Sequence, residues 1–318
     1  MSNNKTAFLF PGQGSQFIGM GREFIDNDQQ ARTLMNMAGE ISGYPVEKLC
    51  LEGPMEELTR TAHLQPAITV LNLICLAALK NAGITPDFVV GHSLGEYAAL
   101  CGAGVLSPED TLRLVTERGR LMEREADRNP GVMQAILGLT IAEVMDIIAR
   151  INDTGVITAA NHNSEKQIVI SGEAAPLEEA AALVAERGGK AIPLPVSGAW
   201  HSDLVAGAVE DFSAYMAKVD FGSPQVEILF NVTAAEERDP AVIRSIMARQ
   251  IASTVRWYEI MNNLLALGVR TFVEVGPKKV LSGLAKKIIP ADCECRILQV
   301  DTPEAVQLCE RELTSSNR

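Results

Sequence analysis

Histidine is scarce in this 318-residue chain. The four residues are His63, His92, His162 and His201, so a reaction that needs an imidazole base has few candidates. The six cysteines, Cys50, Cys75, Cys101, Cys293, Cys295 and Cys309, include no Cys-x-x-Cys pair, which argues against a zinc site or a disulfide framework. Buried free thiols in a cytoplasmic protein are the economical expectation. An excess of positive charge is lacking too. The formal net charge of -12 excludes a broad nucleic-acid or anionic-membrane surface, although local basic patches remain open. No signal peptide is visible before Pro11, and the most apolar stretch, PAITVLNLICLAALKNAG, is interrupted by Asn72. It reads as a core helix, not a membrane span. Internal repeats and low-complexity tracts are absent, and only the polar tail TSSNR is expected to fray.

What is present is the balance of an ordinary globular protein, with 47% hydrophobic and 21% charged residues. Short apolar segments at 6–10, 88–90, 226–231, 270–275 and 296–300 read as buried strands. Between them lie helical patterns near 17–40, 66–82, 94–104, 108–126, 202–217, 240–251 and 257–267. This alternation predicts an α/β fold with a mostly parallel sheet flanked by helices. The middle of the chain has a different rhythm: strand 132–138, a helix, strands 156–162 and 167–172, a helix at 174–187, and strand 190–196. That β-α-β-β-α-β order is the ferredoxin-like arrangement. Asn129-Pro130-Gly131 opens the segment and Ser197-Gly198 closes it. The expected organisation is a hydrolase-like core of 1–128 and 199–318 with an inserted ferredoxin-like α+β subdomain at 129–198.

Gly91-His92-Ser93-Leu94-Gly95 directly follows an apolar strand and precedes an apolar helical run. A sharp strand-to-helix turn of this kind lifts a serine hydroxyl out of a sheet as a nucleophile, although glycines also serve ordinary tight turns. A nucleophile needs a base and an oxyanion hole. His92 adjoins Ser93 and should point away from its hydroxyl, while His63 and His162 lie in polar segments without catalytic context. His201, in PVSGAWHSDLV, follows a loop that leaves the insert and could lean over the cleft; a loop-edge histidine is also an ordinary surface or capping residue. LFPGQGSQ is a second strand-to-helix turn, and its glycines let backbone N–H groups converge, so the Gln13 region could supply an oxyanion donor beside the Leu94 N–H. It matches neither a Walker A loop nor a complete G-x-G-x-x-G, which argues against a phosphate cradle.

LFPGQGSQ, GHSLGEYAAL, RGRLM, AANHNSEKQIVISG, SGAWHS, RQIASTVRW and VEVGPKKVLSGL occur in the order and approximate spacing of one family. The chain resembles the malonyl-CoA:acyl-carrier-protein transacylases over residues 6 to 288. The resemblance implies a hydrolase-like core with a ferredoxin-like insert, and acyl transfer through Ser93 with His201 as base and acid. It implies that the Gln250 backbone carbonyl orients His201 and that the N–H groups of Gln13 and Leu94 form the oxyanion hole. It further implies that Arg118 grips the malonyl carboxylate. That last role suits a planar guanidinium, which binds a carboxylate with two parallel hydrogen bonds. Asn161 falls where the family often places an asparagine near the acyl pocket, with Asn163 as its competitor. The implied partners are malonyl-CoA and an acyl carrier protein; no metal or organic cofactor is implied, and a monomer is expected.

The chain departs from the family at several positions. Trp200 precedes the base where phenylalanine or serine is more usual, which favours small acyl groups if the indole lines the pocket and signifies only packing against the insert if it does not. NSEKQ, Asp203, Thr254 and Lys278 alter turns and helix entries and leave the implied chemistry intact. An acidic carrier requires a local basic surface; Lys278, Lys279, Lys286 and Lys287, on one predicted helix, are candidates, with Arg249 and Arg256 nearby. An acyl-thioester hydrolase on the same scaffold is the competing enzyme reading, for which Asp127, Asp146 and Asp153 are available acid partners. A non-enzymatic carrier-binding subunit is the third. Arg118 speaks against the hydrolase, because a buried arginine facing an uncharged acyl chain would be an unpaired charge.

Overall fold

A computed structural model describes residues 5–314. Apart from Thr314, the TSSNR tail lies outside the described residues. Nine strands occur among them: β1 Lys5–Phe10, β2 Phe88–Gly91, β3 Val132–Leu137, β4 Ile157–Ser164, β5 Gln167–Gly172, β6 Lys190–Pro193, β7 Glu227–Ile228, β8 Val269–Val275 and β9 Arg296–Val300. Five of them form a parallel sheet in the order β7-β2-β1-β8-β9. β1 explains why the sheet is buried on both faces. Its residues Ala7 to Phe10 are fully buried; Ala7 and Leu9 pack into one apolar cluster, with Trp257 and Phe272, while Phe8 and Phe10 pack into the other. The two-residue period of a strand sends alternate side chains to opposite faces, so a continuous apolar run needs a helical layer on each.

The other four strands form an antiparallel sheet in the order β4-β5-β3-β6. The helices Ile141–Ile151 and Ala174–Glu186 cover one of its faces, where Ile136, Ile168 and Ile170 pack against Val144, Ile147 and Leu177. Met133 and Val169, from the opposite face, belong to the main core cluster instead. Reciprocal backbone bonds join this sheet to the segment before the helix Trp257–Ala266: His162 N–H donates to the Val255 carbonyl and Val255 N–H to the Ala160 carbonyl, both at 2.9 Å.

The helix Thr61–Asn81 is longer than expected and meets the length and hydropathy of a membrane span, yet 83% of its apolar window is buried inside the protein. It is a core helix, packed against the helix Pro108–Arg128. Several expected elements are shorter or divided. The 226–231 segment pairs with β2 only over Glu227–Ile228, and Leu229 makes an isolated bridge to Glu236. The 17–40 pattern divides at Asp28, whose carboxylate accepts the N–H groups of Gln30 and Ala31 and so starts a new helix at Gln29. The 202–217 pattern opens with a 3-10 turn at Asp203–Val205, and 240–251 closes with one at Gln250–Ala252. Short helices at Val46–Glu52 and Met55–Thr59, and a longer one at Pro303–Thr314, were not anticipated. The four lysines do not share a helix: Lys278 and Lys279 precede Val280–Ile288, and only Lys286 and Lys287 lie on it.

Candidate active site

The turn after β2 is built on two glycines that tolerate no side chain. A Cβ on Gly91 would lie 2.0 Å from the Gly95 carbonyl carbon, and one on Gly95 would lie 1.9 Å from the Phe10 carbonyl oxygen. That closeness brings the helix Gly95–Gly102 onto the ends of β1 and β2 and leaves Ser93 at the apex, with φ of 50°. A left-handed serine costs about 1–2 kcal/mol, which the surrounding bonds must offset. Asn231 and Gln250 make them. The Ser93 N–H donates to Asn231 Oδ1 at 2.7 Å, Asn231 Nδ2 donates to the Gly91 carbonyl at 2.7 Å, and Gln250 Nε2 donates to the Ser93 carbonyl at 2.8 Å.

His201 reaches the turn from the opposite side. It also has a positive φ, 61°, and its N–H donates to the Ile251 carbonyl at 3.1 Å. Its Nε2 lies 2.8 Å from Ser93 Oγ and its Nδ1 lies 3.0 Å from the Gln250 carbonyl oxygen. A carbonyl only accepts, so Nδ1 carries the proton and Nε2 presents a lone pair to the serine hydroxyl. Burial, reinforced by the Arg118 charge and countered by the Gln250 carbonyl, depresses the His201 imidazole to about 3. It is therefore neutral across the physiological range.

Arg118, on the helix Pro108–Arg128, is fully enclosed. One guanidinium NH2 donates to Ser93 Oγ at 3.2 Å and to Gln250 Oε1 at 3.0 Å, and the guanidinium lies 5.6 Å from the Tyr97 ring centre. Its Nε finds no partner among the described residues. A buried cation with an unused donor, beside the Ser93 hydroxyl, is a place for an anion.

A cavity of about 100 Å³ is lined by Gln13, Ser93, Leu94, Arg118, Asn161, Trp200 and His201, together with His92, Met122, Met133, Leu194 and Val196. Seven of the eight sequence-predicted site residues thus share one cavity, and the eighth, Gln250, lies behind it. The two strand-to-helix turns meet here: a Cβ on Gly12 would lie 2.6 Å from the His92 carbonyl oxygen and 3.5 Å from the Leu94 nitrogen. Among the described residues no partner is found for the N–H of Gln13 or of Leu94. Asn161 lines the cavity, whereas Asn163 is taken up by His92, whose Nε2 lies 2.8 Å from Asn163 Oδ1 and so points away from the serine. Trp200 is buried in the wall. An outer groove of about 400 Å³ shares Gln13, His92, Asn161 and Leu194 with the cavity and reaches Val280 and Lys287.

The acid partners considered for a hydrolase are not at the imidazole. Asp146 pairs with Arg150 and Arg187 on the insert, Asp127 and Asp153 are exposed, and Nδ1 meets a backbone carbonyl. Two residues that the sequence reading passed over complete the arrangement. Glu96, fully buried, accepts the Asn231 N–H at 2.7 Å on Oε1 and Gln250 Nε2 at 2.8 Å on Oε2. Burial raises its carboxyl to about 8, against the pull of these donors and of the Arg118 charge. A glutamate inside the apolar run GEYAALCG was the available signal for it. Asn231, at the end of a predicted strand, carried none.

Comparison with known proteins shows the family and the fold. The family described as "Acyl transferase domain" matches residues 7–294. The malonyl CoA-acyl carrier protein transacylase of Bacillus subtilis is 41% identical over 316 residues, 99% of each chain. The crystal structure of a malonyl-CoA:acyl carrier protein transacylase from Xanthomonas oryzae superposes with a TM-score of 0.92 at 37% identity, covering 98% of this chain and 99% of that one. A malonyl-transacylase solved in complex with its type II PKS acyl-carrier protein gives 0.93 at 30% identity, covering 97% and 100%. By motif order, fold and near-complete likeness, this chain is an acyltransferase and belongs to the malonyl-CoA:acyl-carrier-protein transacylase family.

Proposed function

We propose that the protein transfers malonyl from malonyl-CoA to the phosphopantetheine thiol of an acyl carrier protein, in two steps through a malonyl-Ser93 ester. The observation that carries the reading is the placement of Ser93 Oγ between His201 Nε2 at 2.8 Å and the buried Arg118 at 3.2 Å. His201 takes the hydroxyl proton as Oγ attacks the thioester carbonyl. The N–H groups of Gln13 and Leu94 receive the developing oxyanion. The tetrahedral intermediate collapses, the C–S bond breaks, and His201 returns its proton to the CoA sulfur. In the second half the carrier thiol gives its proton to His201, attacks the ester carbonyl, and Ser93 leaves as its hydroxyl. Arg118 holds the malonyl carboxylate throughout, and Trp200 limits the acyl group to small ones. The steps use the chain's own side chains and no cofactor.

The outer groove is the route for the pantetheine arm, with Lys287 on its lining and Lys286 beside it on the same helix to meet an acidic carrier. The activities for which the relatives are named support a malonyl donor and a carrier acceptor, and a cytoplasmic monomer acting in fatty-acid synthesis is the corresponding reading. The test is intact mass of phosphopantetheinylated fatty-acid and polyketide carriers, each incubated with the enzyme and a mixture of malonyl-, acetyl- and methylmalonyl-CoA. A malonyl adduct on the fatty-acid carrier that vanishes with Ser93→Ala is expected. Free CoA released with no adduct on either carrier would replace transfer by hydrolysis.

A further inference from the structure

Glu96 touches neither the cavity nor the reacting atoms, yet it is bonded to both residues that hold the nucleophile turn. Its Oε1 fixes the backbone of Asn231, whose amide clamps Gly91 and the Ser93 N–H. Its Oε2 receives Gln250 Nε2, and the oxygen of that same amide receives Arg118. An amide has one donor end and one acceptor end, so the partner at either end dictates its orientation. Both oxygens of Glu96 meet an N–H donor, which is the pattern of an ionised, acceptor-only carboxylate.

We infer that Glu96 is a positioning residue for acyl selection: its carboxylate fixes the orientation of the Gln250 amide, so that an oxygen rather than an NH2 group faces Arg118. A flipped amide would set its NH2 against the guanidinium, two donors facing one another in a buried site, and would remove the donor from the Ser93 carbonyl. The guanidinium would then leave the place from which it reaches Ser93 Oγ. This inference rests on the assignment of Arg118 as the malonyl clamp.

The two conservative variants separate this role from packing. Glu96→Gln keeps the size and offers an NH2 that permits the flip. Glu96→Asp shortens the side chain but still only accepts. The ratio of kcat/KM for malonyl-CoA to that for acetyl-CoA, with holo carrier as acceptor, is measured on single preparations above pH 8, where the raised carboxyl is ionised. The ratio on one preparation is independent of the folded fraction. Glu96→Gln is expected to lower it by about tenfold or more, the scale of one unpaired buried donor, through KM for malonyl-CoA, while Glu96→Asp keeps malonyl preferred. A ratio unchanged in Glu96→Gln, or lowered more by Glu96→Asp, overturns the inference. If Glu96→Gln yields no folded protein, Glu96→Asp alone decides, loss of malonyl preference being the refuting result. A malonyl preference that survives Arg118→Ala overturns the clamp itself, whatever the Glu96 variants do.

Discussion

Replacing Arg118 by alanine removes a buried cation in contact with Ser93 Oγ. A guanidinium that holds a carboxylate in an enclosed site contributes roughly two charge-assisted hydrogen bonds of about 1.5–3 kcal/mol each. Part of that is offset by desolvating the carboxylate, so the net loss of transition-state stabilisation is about 3 kcal/mol, which corresponds to about a hundredfold in kcat/KM for malonyl-CoA. Acetyl-CoA has no carboxylate and no such contact to lose. Its kcat/KM should change by less than about tenfold, mainly through the displaced Gln250 amide, whose oxygen the guanidinium engages at 3.0 Å. The assay is initial rate of carrier acylation, resolved by intact mass, with each CoA ester varied separately. The reasoning fails if both esters slow in the same proportion, since Arg118 would then support the fold of the site rather than select the acyl group.

The pH dependence follows from the same charge. The base role proposed for His201 requires the neutral imidazole, and burial together with Arg118 depresses it to about 3, so kcat/KM for acetyl-CoA should show no acid limb near the ordinary histidine value of about 6.5. Arg118→Ala removes one depressing charge and should move the limb to higher pH; an unmoved or lowered limb in a pH–rate profile contradicts the assignment. Gly95→Ala puts a Cβ 1.9 Å from the Phe10 carbonyl oxygen, so the helix must shift and Ser93 with it; both the melting temperature and the rate of Ser93 acylation should fall, and native values of each would refute the close approach. Trp200→Phe should enlarge the cavity and raise methylmalonyl transfer relative to malonyl by several-fold, read from a competition between the two CoA esters. An unchanged ratio would assign Trp200 to packing alone.

Most of the site was legible because each motif presents its functional atom locally. The Gly91–Gly95 turn marks the serine proposed as nucleophile, since the two glycines are required wherever a strand end and a helix start approach this closely. His201 was separable from three other histidines by its place at the exit of the insert, and the structure brings its Nε2 to Ser93 Oγ across 108 residues of sequence. The alternation of apolar segments and helical patterns was likewise enough to expect a parallel sheet flanked by helices, though not the order of its strands. The patterns erred at chain ends of elements, where a single side chain decides: Asp28 divides a helix by capping, and Lys278, with φ of 64°, cannot begin one.

What escaped the sequence was the layer behind the cavity, for a physical reason. Asn231 and Glu96 act through bonds to residues 135 to 154 positions away, and polar side chains at element ends have no period that marks them. Glu96 alone left a trace, as a carboxylate in a segment every residue of which is buried. Burying it unpaired would cost several kcal/mol, so its presence demands donors, and those donors belong to the residues that shape the nucleophile turn and face Arg118. A buried carboxyl group in an apolar helix next to the Gly91–Gly95 turn is therefore a search instruction: the groups that satisfy it are the ones that hold the site.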